Sequence, residues 1–468
     1  MSELTRLTIE HLAPRLATGE VSPTEVTGAY LDRIAAHDPA LNAYIRVTPE
    51  SALAEARAAE KDIQRGAYRG PLHGIPVALK DLFDVAGIPT TAGSTFFLDN
   101  VPTEDAPSVA RLRAAGAVIL GKLNLHEMAF GVSGDSSAFG PTRNPWDPTR
   151  MPGGSSGGSG AAVAARLCAA ATGSDTGGSI RIPSALCGVV GLKPTYGRVS
   201  KRGVLPLSYS LDHVGPIARS VYDVAVMLQA LAGYDRDDPA SIDQPVPSFT
   251  ADLDKGVRGI TVALDPQYSL VGASRDVLNG LHETLDTLTR LGAEIVEVSL
   301  PRLAEANRAA LDLLNAEATA LHEERLKTQL DRFQPDVGVR LQLGFGVSGL
   351  AVARALRVRA ELMVDFRNVF ETADAFIAPG CAVPAPPIGA SEVDIDGQTV
   401  GAREAIARYT RPFNLAGLPT LSIPSGFTAD GLPVGVQLIG AWWNEATLLR
   451  IGRAIEGTRP WPTPDDYP

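Results

Sequence analysis

The chain has 468 residues, 45% of them hydrophobic and 20% charged, with a formal net charge of −11. That balance suits a soluble globular enzyme with a large core and excludes a nucleic-acid partner gripped by general electrostatics. Cys168, Cys187 and Cys381 show no paired spacing, so no disulfide framework is implied and a reducing, cytoplasmic setting is expected. Residues 1–12 lack the basic-then-apolar pattern of a signal peptide. No apolar run approaches the ~18 residues that a membrane span needs.

Helical patterns come first, at 8–20, 22–38 and 50–66. In the second, Ser22 is the N-cap, Pro23 takes the first helical position and Glu25 completes a capping box. Val26, Tyr30 and Ile34 then fall on one face. Residues 75–79 form a short apolar strand that ends in Lys80 and Asp81. The helix 108–116 leads into a second buried strand, 117–124, and this helix-then-strand order argues for an α/β sheet. The alanine run after residue 160 reads as a tightly packed helix. Strands are expected at 259–265 and 293–301 with an amphipathic helix between them, and at 375–380, 419–427 and 432–442. Residues 303–375 read as mostly helical, 446–457 as a closing helix, and 235–256 as the most loop-like stretch.

The stretch 116–122, GAVILGK, approaches a phosphate-loop pattern, but Leu123 stands where Ser or Thr would bind Mg²⁺, and the interior is a hydrophobic strand. Residues 153–157, GGSSG, fit the nucleophile-elbow pattern, which requires a later histidine such as His213, His282 or His322. Two glycine–serine clusters, PGGSSGGSG at 152–160 and GSDTGGS at 173–179, contain no histidine at all. In DTGGS, glycines let successive N–H groups point into one concavity, which suits an oxyanion. A serine at its end is a natural nucleophile that needs a proton acceptor. With no histidine nearby, a buried lysine of lowered pKa is the remaining candidate, and Lys80 ends an apolar strand.

These residues resemble the amidase signature family of serine hydrolases. The resemblance rests on GIPVALKD (74–81), GGSSGGS (153–159) and DTGGSIRIP (175–183), with FGPTRNPWD (139–147), CGVVGLKPTYGRVS (187–200), SLDHVGPIARS (210–220) and two stretches at 411–427 and 431–440. It covers nearly the whole chain. It implies an α/β fold: one large α/β/α unit over 1–468 with a central mixed β-sheet flanked by helices. Within it, 1–65 would be N-terminal helices, 66–235 the catalytic core, and 257–468 a more variable substrate-pocket half.

The resemblance also implies a Ser-Ser-Lys triad: Ser179 forms the acyl-enzyme, Ser155 bridges, and Lys80 is the distal base. A cis peptide bond leads into the bridging serine in this family. Thr176, Gly177 and Gly178, with Ser179, would supply oxyanion N–H groups. Asp175 and Arg181 would hold this nest, and Ser156 would support Lys80 or Ser155. The pocket would be built from Met128, Ala129, Phe130, Gly131, Val132 and Ser133, the 303–375 helices and the loop at Cys381. An apolar, medium-sized amide is the implied small-molecule substrate, with no cofactor and no metal; a homodimer stays open. The family divides into free amidases and the glutaminase subunit of a tRNA-dependent amidotransferase. Leu82-Phe83-Asp84 after the lysine, and 408–419, lean toward a free amidase; the glutaminase subunit remains the alternative.

Overall fold

Among the described residues, thirteen strands organise the fold: β1 (Tyr44–Val47), β2 (Pro76–Lys80), β3 (Val118–Leu123), β4 (Ala170–Asp175), β5 (Val190–Lys193), β6 (His213–Ala218), β7 (Thr261–Leu264), β8 (Glu294–Glu297), β9 (Ala375–Pro379), β10 (Glu392–Ile395), β11 (Gln398–Gly401), β12 (Thr420–Phe427) and β13 (Pro433–Gly440). This computed structural model describes residues 3–458 together with 461 and 464. Eleven strands make one sheet in the order β1-β3-β2-β4-β6-β5-β12-β13-β9-β7-β8, and β10 and β11 form a separate hairpin. β2 runs parallel to both β3 and β4, whereas β4 is antiparallel to β6. The sheet is therefore mixed, as expected, and helices flank it.

β2, β3 and β4 are buried along their whole length, which explains why they read as continuous apolar or small-residue runs. One apolar cluster extends from Ile9 to Ile455 and takes in strands on both sides of 235–256. The helix Pro23–Leu41 carries the expected capping box at Ser22 and Glu25. Among the described residues, no helix is long and apolar enough to cross a membrane.

The alanine run departs from expectation. Its helix is confined to Gly157–Ala164, the backbone reverses at Arg166 with φ 61°, and Ala170–Asp175 is strand β4. Alanine carries no periodic signal that separates a buried helix from a buried strand. The helix lies close to its surroundings because Gly158 has no side chain: a Cβ there would meet Asn124 O at 2.4 Å. β1, β5 and β6 were also not anticipated. All three are short, at four to six residues, with little room for alternation to show.

Candidate active site

Lys80 stands at the C-terminal end of β2, fully buried. Its backbone N–H donates to Thr172 Oγ1 on the neighbouring β4 at 3.1 Å. Its Nζ donates to Ser155 Oγ (2.8 Å), Ser156 Oγ (2.9 Å) and Ser174 Oγ (2.8 Å). Ser155 and Ser156 come from the loop before the helix Gly157–Ala164, and the bond between Gly154 and Ser155 is cis. Asp81 pairs with the buried Lys122 at 2.6 Å, and Lys80 makes no ion pair among the described residues. That pair also places Lys122, from the GAVILGK stretch, in the core and not in a phosphate loop.

Burial pushes the Lys80 ammonium down to about 7, although the Asp175 and Asp212 carboxylates pull the other way. The cause is desolvation: hydroxyl dipoles compensate a buried charge less than a carboxylate would. A lysine whose ammonium is disfavoured in this way is a candidate proton acceptor near neutral pH.

Ser179 is almost buried, and its loop is tied to the serine loop by Ser156 N–H donating to Ser179 C=O at 3.3 Å. The nest before it is built on Asp175. That carboxylate accepts from Gly178 N–H at 2.8 Å and Ile180 N–H at 3.1 Å, and it is gripped by Arg181 through Nε and Nη2 at 3.0 Å each. Asn414 adds a bond to Asp175 Oδ1 at 2.8 Å. Burial raises the Asp175 carboxyl, but the Arg181 charge outweighs it, and Lys193 and Asn414 help hold it well below the usual range. Gly178 has φ 133°, and a Cβ would fall 2.5 Å from Thr410 Oγ1.

The N–H groups expected to face an oxyanion differ in their partners. Gly178 N–H is already committed to Asp175, whereas the N–H groups of Thr176, Gly177 and Ser179 have no partner among the described residues. Thr176 is fixed by its hydroxyl, which donates to Asp212 Oδ1 at 2.5 Å.

The histidines take no part in this cluster. His213 Nδ1 lies 2.6 Å from Leu211 O and 3.2 Å from Asp175 O. His322 is buried against Phe333, and His282 is exposed on a helix. Among the described residues no histidine hydrogen-bonds to Ser155, as the elbow reading would require.

A cleft of ≈ 420 Å³ opens over Ser179 and is lined by Thr176 and Gly177. Ala129, Phe130, Gly131 and Val132 line it as expected. Met128, Ser133 and Cys381 stand apart. The chain takes positive φ at Met128 and Ala129 (51° and 59°), and Met128 faces a separate cavity with Phe97 and His322. Ser133 is turned to Asp135 and His126. Cys381 is buried in an apolar cluster with Ile182 and Ala185. Ser174, and the cleft residues Arg340, Arg403, Glu404 and Arg411, were not anticipated. Ser174 was legible in principle: on a strand it shares a face with Thr172, and both contact Lys80.

The family model described as Amidase matches residues 25–449. A Glutamyl-tRNA(Gln) amidotransferase subunit of Geobacter metallireducens is 44% identical, with 98% of this chain and 99% of that protein covered. A solved structure described as a vestigial protein complex that reveals the evolutionary origins of an s-triazine catabolic enzyme superposes with a TM-score of 0.93 at 36% identity, covering 97% of this chain and 98% of that one. The peptide amidase from Stenotrophomonas maltophilia gives 0.82 at 36% identity, with 97% and 98% covered.

Proposed function

The chain belongs to the amidase signature family and is an amide C–N hydrolase, and we propose that it works through an acyl-enzyme on Ser179 with Ser155 and Lys80 as the proton relay. The observation that carries this reading is Lys80: a buried lysine with no carboxylate partner among the described residues, pushed down to about 7 and bonded to serine hydroxyls. Neutral Lys80 Nζ takes the Ser155 proton as Ser155 Oγ takes that of Ser179. Ser179 Oγ bonds to the amide carbon, and the oxyanion accepts from Thr176, Gly177 and Ser179 N–H groups. The C–N bond breaks as the relay returns the proton to the leaving nitrogen. Water then attacks the ester by the same relay and frees the acid and Ser179.

A second reading concerns the partner and the substrate. The amidotransferase relative is 44% identical, against 36% for the peptide amidase, which supports the glutaminase subunit of a tRNA-dependent amidotransferase better than the free amidase suggested by 82–84 and 408–419. The purified chain, assayed with glutamine and with a panel of linear amides, anilides, carbamates and ureido compounds, decides between them. Glutamine turnover that requires co-purified partner chains supports the amidotransferase; turnover of another amide by the chain alone supports the free enzyme.

A further inference from the structure

The stretch SLDHVGPIARS at 210–220 carries two adjacent titratable residues, Asp212 and His213, to which the relay of Lys80, Ser155 and Ser179 gives no role. Both reach the peptide unit between Asp175 and Thr176, whose N–H belongs to the proposed oxyanion set. β4 and β6 pair antiparallel with Asp175 opposite His213, and this register brings the two segments together. Asp212 Oδ1 accepts from the Thr176 hydroxyl at 2.5 Å. Its other oxygen, Oδ2, accepts from Leu207 N–H at 2.9 Å and Ser208 N–H at 3.0 Å. The loop that holds the carboxylate is itself tied to the helix Leu303–Thr328: Glu317 Oε2 accepts from the Ser208 hydroxyl and, at 3.0 Å, from Ser210 N–H. Leu311 and Leu314 of that helix line the cleft over Ser179.

His213 lies outside the serine–lysine cluster but holds the other end of the same peptide unit. Two carbonyl oxygens face its Nδ1, Leu211 O at 2.6 Å and Asp175 O at 3.2 Å, so that nitrogen carries the hydrogen. Burial, with the Lys193 charge, keeps the ring neutral, and its Nε2 has no partner among the described residues. Asn414 Nδ2 donates to the same Asp175 carbonyl at 3.0 Å. A trans peptide is planar, with C=O and N–H pointing opposite ways. Holding the Asp175 carbonyl toward His213 and Asn414 therefore turns Thr176 N–H away from them. Anchoring the Thr176 side chain on Asp212 stops that plane from rotating.

Resting on the acyl-enzyme reading above, we propose that Asp212 and His213 are positioning residues that lock the Asp175–Thr176 peptide unit so that Thr176 N–H meets the oxyanion. Neither lines the cleft over Ser179. Asp212 acts through the Thr176 hydroxyl, and His213 acts through the Asp175 carbonyl. A catalytic group displaced by about 1 Å costs on the order of 10²-fold in rate, and losing one oxyanion donor outright costs about 10²–10³-fold. An interaction made only as the oxyanion forms affects the rate of the chemical step and not the binding of the ground state.

The test follows labelling by a fluorophosphonate, in which Ser179 Oγ bonds to phosphorus, fluoride leaves and the phosphoryl oxygen takes the oxyanion site. It separates the maximal rate, kinact, from the half-saturation constant, KI, and checks each variant's fold by thermal unfolding. Asp212→Ala and His213→Leu should each lower kinact by about tenfold to a hundredfold, with KI within about threefold of the wild type. Asp212→Asn should restore part of the rate, because an amide still accepts from Leu207 and Ser208 N–H and meets the Thr176 hydroxyl. His213→Asn should do the same relative to His213→Leu, because its Nδ2–H stands in for imidazole Nδ1–H, and His213→Gln should not. Asp212→Ala combined with Thr176→Val should be no slower than the slower single variant, because both cut one link. Unchanged kinact in the folded variants, a loss carried by KI, His213→Asn as slow as His213→Leu, or effects of Asp212→Ala and Thr176→Val that multiply, overturn the inference. If Asp212→Ala does not fold, Thr176→Val, which cuts the same link from the other side, and the His213 series decide. The two claims fail differently. A wild type that forms no adduct on Ser179 removes the acyl-enzyme reading. Ser179 labelled at one rate in every variant leaves that reading standing and removes the positioning.

Discussion

Lys80 Nζ lies 2.8 Å from Ser155 Oγ in a fully buried site where, among the described residues, no carboxylate pairs with the lysine. A lysine in that position is worth its desolvation cost to an enzyme chiefly when uncharged, and this sets the pH behaviour. The proposed base is protonated below about 7 and free above it. Thus kcat/KM should rise about tenfold per pH unit on the acid side and level off above neutrality. Lys80→Ala should lose roughly 10²–10⁴ in turnover, the range for a general base, and abolish that limb. Lys80→Arg should fail equally, because guanidinium stays charged.

The same shift makes a stability prediction. Between about 7 and about 10 the folded chain has lost the Lys80 proton while the unfolded chain still binds it. The unfolded state therefore binds more protons, and stability contributed by this group rises with pH across that window. The penalty is fully present below the folded value. Denaturant unfolding of wild type and Lys80→Met, at pH 6 and at about pH 10, should show the wild type gaining relative to the variant at the higher pH by a few kcal/mol, since one unit is about 1.4 kcal/mol. An unchanged difference would contradict a depressed lysine.

Asp175 and Arg181 form a buried bidentate pair at 3.0 Å, and the carboxylate also caps the nest through Gly178 N–H. Removing one member leaves a buried charge. Asp175→Ala should cost about 3–5 kcal/mol in unfolding free energy and reduce activity through a loosened nest. Because the carboxyl is held well below its usual range, the wild-type pair should stay intact through mildly acidic pH. Circular dichroism of the folded wild type down to about pH 4 checks this.

How much of this was legible in the sequence depends on distance along the chain. Lys80, Ser155 and Ser179 sit inside dense local patterns, and an apolar strand ending in a lysine announces itself. Ser174 was hidden because a run of alanines reads as helix, and its role appears once 170–175 is a strand whose alternate residues face β2. The cleft arginines at 340, 403 and 411 belong to three separate helices. No local spacing brings them together; the packing of the 303–375 helices and the β10–β11 hairpin does. Met128 missed the cleft because a left-handed backbone at a non-glycine residue has no sequence signature.

Ser174 gives a sharper test than the proposed triad residues, because its hydroxyl bonds to Lys80 and to neither Ser155 nor Ser179. Ser174→Ala removes one of three hydroxyl dipoles that favour the ammonium. The acid limb of the kcat/KM profile should move to lower pH with the fold intact. A profile that loses amplitude without moving would assign Ser174 a merely steric role.

The proposed mechanism places the acyl group on Ser179. A fluorophosphonate probe, followed by peptide mass spectrometry, reads this directly. One adduct is expected, on the peptide containing Ser179, lost in Ser179→Ala and strongly slowed in Lys80→Ala. An adduct on Ser155 or Ser156, persisting in Ser179→Ala, would contradict it.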